Sequence, residues 1–234
     1  MIQENLLKVE KNIEQACQKA NRDPSEVTLI AVSKTKPMEM IEEAYACGKR
    51  EFGENKAQEM KQKCDALEKD IHWHFIGHLQ TNKVKYVVGR ACLIHSVDSY
   101  HLAEAIEAES AKKDVISHIL VEVNVAQEAS KFGLKTEETL SLIEQIAKLK
   151  HIHIDGLMTI APFVEDPEQN RPIFQKLREL SVDIAKKNID NVSMGILSMG
   201  MTNDYEIAVE EGATHVRVGT GIFGARDYGS KNAQ

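Results

Sequence analysis

Residues 27–53 read VTLIAVSKTKPMEMIEEAYACGKREFG: an apolar run closed by Lys34, a stop at Thr35-Lys36-Pro37, a helix-like stretch near 37–48 and a second short run at 50–53. The first run is short and β-branched, which is strand chemistry, and the proline ends it. Two strands joined by a helical crossover lie parallel. The alternation continues, with strands predicted near 27–33, 50–53, 71–76, 92–96, 117–124, 153–160, 192–197 and 214–218. Helical stretches fall near 37–48, 55–68, 80–88, 99–112, 136–150, 167–189 and 202–211, with Asp98 or Ser99 placed to cap the stretch at 99 and Asp166-Pro167-Glu168 opening the one at 167. Eight strands, each joined to the next by a helix, predict a single-domain (βα)8 TIM-type barrel, with a doubly wound open sheet as the alternative. Before the first strand, Ile2, Leu6, Val9, Ile13 and Cys17 recur at helical spacing. The expected division is an N-terminal helix at 1–24, the barrel at 25–228 and a tail at 229–234.

Of the 234 residues, 42% are hydrophobic, enough for a full core, and the formal net charge of -7 argues against nucleic-acid or anionic-membrane binding. Acidic residues interrupt the N-terminal stretch where a signal peptide would be apolar, and no run approaches a transmembrane span. Cys17, Cys47, Cys64 and Cys92 show no C-x-x-C pairing, so reduced thiols and a cytoplasmic location are expected.

In such a barrel the polar residues that follow the strands gather at one face, where the chemistry sits. They are Lys34, Glu54-Asn55, Gly77-His78, Ser96 with Asp98, Asn124, Met158-Thr159, Ser198-Met199-Gly200 and Gly219-Thr220-Gly221. The last two groups, read as loops after strands seven and eight, offer backbone N–H groups to a phosphate, and Thr202-Asn203-Asp204 opens a helix. Glycines also simply allow turns. Arg217 lies inside the last strand on the face of His215 and Gly219, where a buried cation needs a partner; a salt bridge within the barrel is the competing reading. An amine at one strand end and a phosphate cradle at another suggest a phosphorylated aldehyde held as a Schiff base. A metal-dependent hydrolase is a weaker alternative, suggested by His72-Trp73-His74 and His151-Ile152-His153; both pairs begin or lie within strands rather than past their ends, and no metal is expected.

Ala31-Val32-Ser33-Lys34-Thr35-Lys36-Pro37, Phe52-Gly53-Glu54-Asn55, the run from His74 through Gly77-His78 to Lys83, Gly156-Leu157-Met158, Leu197-Ser198-Met199-Gly200-Met201, Arg217-Val218-Gly219-Thr220 and Ile222-Phe223-Gly224-Ala225-Arg226 resemble the pyridoxal phosphate homeostasis family. The resemblance runs from about residue 25 to Tyr228. It implies a fold like the N-terminal barrel of alanine racemase, with pyridoxal 5'-phosphate (PLP) as cofactor. By the same resemblance Lys34 is the Schiff-base lysine, Ser198, Gly200, Gly219 and Thr220 hold the phosphate, Arg217 approaches the pyridine nitrogen and Asn55 lines the ring edge.

An arginine at that nitrogen has consequences of its own. Enzymes that use the ring as a full electron sink pair its nitrogen with a carboxylate, whereas arginine has only donors to offer and favours an unprotonated nitrogen. Racemisation also needs an acid/base on the opposite face, which in alanine racemase is a tyrosine of a second domain; this chain ends soon after the barrel, and Tyr45, Tyr86, Tyr100, Tyr205 and Tyr228 read as packing or surface residues. The expectation is therefore a non-catalytic, monomeric carrier or buffer of PLP that serves apo PLP-dependent enzymes, with a PLP-dependent racemase or lyase as the alternative. Lys36 and Lys83 are expected to help by lowering the Lys34 amine pKa through repulsion. The loop at 163–167 is expected to be a solvated connection rather than a cover for the mouth.

Overall fold

The strands close into a ring in the computed structural model, which describes residues 1–127 and 132–225. They are β1 Thr28–Val32, β2 Glu51–Glu54, β3 His72–Phe75, β4 Ala91–Val97, β5 Ser117–Glu122, β6 Ile152–Met158, β7 Val192–Met201 and β8 His215–Val218, all parallel to their neighbours. The eighth pairs with the first, Ala31 against Val218, and this pairing excludes the open-sheet alternative. The helices are α1 Ile2–Lys19, α2 Met38–Ala46, α3 Ala57–Ala66, α4 Val84–Val87, α5 Tyr100–Lys113, α6 Thr136–Ile146, α7 Arg171–Ala185, α8 Tyr205–Glu210 and α9 Thr220–Phe223.

Local chemistry sets many of the boundaries. The Ser99 hydroxyl accepts the Leu102 amide at the start of α5, and Asp166 accepts the Glu168 amide to cap a 3-10 turn that precedes α7. The stretch expected to be helical at 80–88 is instead a 3-10 turn, Thr81–Lys83, followed by the single turn α4. Strand seven is longer than expected. Its continuation through Met201 pairs with Arg217 of β8 in an irregular register, so Ser198 and Gly200 lie within the strand and not in a loop after it.

Strand alternation divides the core in two. Between the ring and the helices, outward strand side chains such as Phe52 meet helix residues such as Ile106, Ile143 and Phe174, all fully buried. Leu93, Leu120 and Met158 form a separate cluster inside the ring. Two residues further along β4 and β5 come the buried His95 and Glu122.

The helix at the N-terminus does not present its apolar stripe to solvent. Ile2, Leu6, Val9 and Ile13 are buried, each worth roughly 1.5–3 kcal/mol. This helix packs on α8, α9 and α2. Asn5 Nδ2 donates to the Ile222 carbonyl and Asn12 Nδ2 to the Tyr205 hydroxyl, both at 2.9 Å. It thereby braces the two short helices that follow β7 and β8. Arg226, Tyr228 and the tail at 229–234 lie outside the described residues. The four cysteines are free, and no described helix is long and apolar enough to cross a membrane.

Candidate functional site

The C-terminal ends of the strands surround a cavity of about 410 Å³, and Lys34, Asn55, Arg217, Gly219 and Thr220 all line it. Val32, Ile76, Ile160 and Phe163 supply apolar wall. Phe163 is 85% exposed yet stands on the rim, and Asn203 Nδ2 donates to the Val164 carbonyl at 2.9 Å. The segment expected to be a mere solvated connection is thus tied to the β7–α8 loop beside the mouth.

Lys34 stands two residues past β1, on a turn held from three sides. Lys63 Nζ donates to the Ser33 carbonyl at 2.9 Å, the Ser33 hydroxyl donates to Glu54 Oε1 at 2.6 Å, and Glu59 Oε1 accepts the Thr35 amide at 2.7 Å. The same Lys63 amine binds both carboxylates, Glu54 at 2.7 Å and Glu59 at 2.8 Å. Thr35 has a left-handed backbone, φ 62°, which the turn imposes on a β-branched residue. Lys36 faces elsewhere: its Nζ donates to the carbonyls of Phe223, Gly224 and Ala225, each at 3.1 Å, closing the C-terminal end of α9. Lys83 does not line the cavity; its amine stands 5.9 Å from the Tyr86 ring centroid. The expected help from these two lysines therefore has no support in the cavity wall.

Arg217 crosses the ring interior. It donates to the Ser198 hydroxyl at 2.5 Å and to the Thr159 carbonyl at 2.9 Å. Among the described residues no carboxylate forms a salt bridge with it, which corrects the ion-pair reading. Burial lowers it to about 10, opposed by Glu122 and Asp204, so the guanidinium stays charged at neutral pH.

Of the residues expected to hold a phosphate, Gly219 and Thr220 line the cavity, and Met201 and Thr202, directly after Gly200, line it with them. Gly219 and Thr220 open α9 at the cavity, and the Thr202 hydroxyl there accepts from the Gly221 amide at 3.3 Å and from Thr220 Oγ1 at 3.2 Å. Ser198 is fully buried in the wall, its hydroxyl engaged by Arg217 and by His95 Nδ1 at 2.8 Å. Gly200 has φ +91°, and a Cβ there would stand 2.5 Å from the Ala208 Cβ; this glycine lets β7 lie against α8. The helix that begins after Thr202-Asn203-Asp204 already carries an anion at its start, since buried Asp204 accepts the Met201 amide and the Asn170 side chain.

Whether this wall suits PLP can be judged from its donor set. Asn55 Oδ1 is buried with no hydrogen-bond partner among the described residues, and Asn55 lines the cavity. An unmet acceptor, a lysine, a guanidinium and a threonine-glycine turn, set between apolar walls, match a planar polar ring with an anionic arm. Gly77 makes room for this edge, because a Cβ at 77 would stand 2.6 Å from the Asn55 Cα.

Sequence reading missed the importance of Glu122. It is buried at the end of β5, where burial and then the charge of Asp98 push it up to about 7 against the pull of Arg217. In the unfolded chain it ionises near 4.5, so the folded protein holds its proton longer. The stability this gives is full below pH 4.5 and is lost as pH rises to about 7, on the order of 3 kcal/mol. Glu122→Gln should flatten that window: urea midpoints of the variant should change less than wild type between pH 4.5 and 8.

Histidine pairs suggested the metal alternative. His72 and His74 both bond Glu51, at 2.6 and 2.7 Å, and His153 bonds Asp155 at 2.7 Å, whereas His151 lies before β6 and bonds Glu107. Cys92 brings its thiol to the first group, with ligand atoms of Glu51, His74 and Cys92 within 4.8 Å of one another. A second group, His118, His153 and Asp155, brings ligand atoms within 4.8 Å. Both groups lie near strand starts, away from the cavity at the strand ends, so neither serves a hydrolytic mouth.

Residues 5–227 match the family model "Alanine racemase, N-terminal domain". The "Pyridoxal phosphate homeostasis protein" of Aquifex aeolicus is 46% identical over 226 residues, 96% of this chain and 98% of the relative. PipY of Synechococcus elongatus, solved with PLP bound, is 34% identical with a TM-score of 0.83, covering 96% of this chain and all of PipY. Alanine racemase of Clostridium difficile shares the fold at a TM-score of 0.69 and 12% identity; the match spans 93% of this chain and 56% of that enzyme.

Proposed function

The chain belongs to the pyridoxal phosphate homeostasis family, built on the alanine racemase N-terminal-domain barrel, and we propose that its mouth cavity binds PLP covalently through Lys34 and reversibly stores or delivers it. The observation that carries this reading is the convergence of Lys34, Asn55, Arg217, Gly219 and Thr220 on one cavity. The cofactor supplies an electrophilic aldehyde, which a lysine amine can capture and release.

Each wall residue has a defined task in that reading. The clamp of Glu54, Lys63 and Glu59 fixes the Lys34 backbone, so the amine meets the aldehyde from a preset turn. Gly219 and Thr220, with the Thr202 hydroxyl beside them, hold the phosphate. Asn55 uses its unpaired Oδ1 at the ring edge. Arg217 offers N–H donors to the ring nitrogen and leaves it unprotonated, which weakens the ring as an electron sink. Ser198 accepts from the Arg217 guanidinium and holds it in place. Gly200 shapes the wall.

A carrier role follows from what surrounds Lys34. Among the described residues no tyrosine lines the cavity: Tyr45 bonds Asp70 and Tyr205 bonds Asn12. This supports storage over racemase or lyase turnover. This reading keeps the expected monomer, and free, partly exposed thiols suit the cytoplasm. The partners in this reading are apo PLP-dependent enzymes. Loaded protein should restore activity to such an apo-enzyme, and amino acids incubated with it in deuterium oxide should show no enzyme-dependent exchange at the α-carbon. Stereospecific exchange that vanishes in Lys34→Ala would instead assign turnover.

A further inference from the structure

Arg217 sits at one end of a chain of hydrogen bonds that traverses the barrel interior. Its Nη1 donates to Ser198 Oγ at 2.5 Å; Ser198 Oγ meets His95 Nδ1 at 2.8 Å; His95 Nε2 meets His74 Nδ1 at 3.0 Å; and His74 Nε2 meets Glu51 Oε2 at 2.7 Å. The five residues come from five strands, β8, β7, β4, β3 and β2. Ser198 and His95 are fully buried, and His74 is 3% exposed. The far end, Glu51, is the first residue of β2 and lies at the opposite face of the barrel from the cavity, with 27% of its side chain exposed.

The chemistry of the two ends fixes the direction of the links they make. Guanidinium has only donors, so Ser198 Oγ must accept there. Carboxylate has only acceptors, and Glu51 is ionised: burial would raise it, but hydrogen bonds from His74 and His72 hold it down to about 2. His74 must therefore carry a proton on Nε2. Burial, then the neighbouring His74, His215 and Arg217, holds His95 well below the usual imidazole range, so it is neutral and has one N–H. With His95 neutral and a single proton on His74, at Nε2, one arrangement satisfies all four contacts. Ser198 donates to His95 Nδ1, His95 Nε2–H donates to His74 Nδ1, and His74 Nε2–H donates to Glu51. The reverse order would set a bare His74 nitrogen against the carboxylate, two acceptors face to face.

The geometry points to Glu51, His74 and His95 as positioning residues of the cofactor site: through Ser198 they aim the Arg217 guanidinium and polarise it at the ring nitrogen from the far side of the barrel. This rests on the reading of Arg217 as the group beside that nitrogen. A polar chain set inside a barrel otherwise filled with Leu93, Leu120 and Met158 is costly unless every member is satisfied, and here each link is made. Other charged or titratable groups facing it are His72 on Glu51, His215 with its ring 5.9 and 6.3 Å from those of His74 and His95, and Glu122 and Asp204 near Arg217.

Two measurements test the chain independently. In cofactor-free protein, ¹⁵N-resolved imidazole spectra at neutral pH should show His74 and His95 both protonated at Nε2 only; a proton on His95 Nδ1 would overturn the assigned direction. With PLP added, wild type, His95→Leu, His95→Gln and Glu51→Leu should all give the coloured complex, because Lys34 is intact. The midpoint of its absorbance change with pH should move by about one pH unit in His95→Leu and Glu51→Leu, and His95→Gln, which keeps an acceptor and a donor, should restore most of it. Unchanged pH profiles in both leucine variants would sink the proposal. If His95→Leu does not fold, the partly exposed Glu51→Leu decides alone. A wild type that never colours would count against the PLP reading itself, while the imidazole spectra would still judge the chain.

Discussion

Lys34→Ala is expected to stay colourless when mixed with PLP, and to hold the cofactor about a hundredfold more weakly than wild type, roughly 2.8 kcal/mol. The residual binding has a physical source. Thr220, Gly219 and Arg217 remain on the wall when the amine is removed, so phosphate and ring contacts survive while the covalent link is gone. Equilibrium dialysis measures the affinity and absorbance the colour. A Lys34→Ala protein that colours as strongly as wild type would move the covalent role to another lysine. Lys36 is a poor substitute, since three carbonyls already engage its amine.

The second large effect lies behind the cavity, at Lys63. Its amine is the only cation bonded to Glu54 among the described residues, at 2.7 Å, and Glu54 is fully buried. Burial raises the Glu54 carboxyl above its usual range, and Lys63 is the main influence that pulls it back. Glu54 Oε2 has no hydrogen-bond partner among the described residues, so the other oxygen carries all the compensation. Lys63→Met should therefore cost about 3–5 kcal/mol at neutral pH, the penalty of one partner left charged and alone. The sign with pH follows from the raised carboxyl. Folded protein holds that proton where the unfolded chain has lost it, so the deficit should shrink as pH falls toward the ordinary carboxyl range. The double variant Lys63→Met/Glu54→Gln should recover much of the loss, because no buried charge is stranded. Urea unfolding measures the stabilities. PLP affinity should fall in Lys63→Met as well, since the Ser33 carbonyl that anchors the lysine turn loses its donor.

The order of strands and helices was legible because hydrophobic period changes at each boundary and turn residues mark the breaks. The end of β7 was not. Gly200 reads as turn punctuation, whereas its backbone serves the contact with Ala208 on α8, which only the folded chain brings near. Helix α9 escaped for a related reason: four residues that include a glycine carry no periodic signal. Lys34, Asn55, Arg217, Gly219 and Thr220 could be singled out as strand-end or in-strand polar residues, and the fold brings them to one cavity. Lys63 gave no warning, since a lysine on an amphipathic helix reads as solvated. The interior chain was half visible. Alternation along each strand can assign His95, Ser198 and Arg217 to the inner face, but which of them touch depends on register across five strands, and that is set by closure of the ring.

Borohydride reduction of the PLP-treated protein, followed by peptide mapping, tests the central claim most directly. The account predicts a single pyridoxyl label, on Lys34, in stoichiometric yield and absent from Lys34→Ala. A label on another lysine, or none at all on a folded protein saturated with PLP, would contradict it.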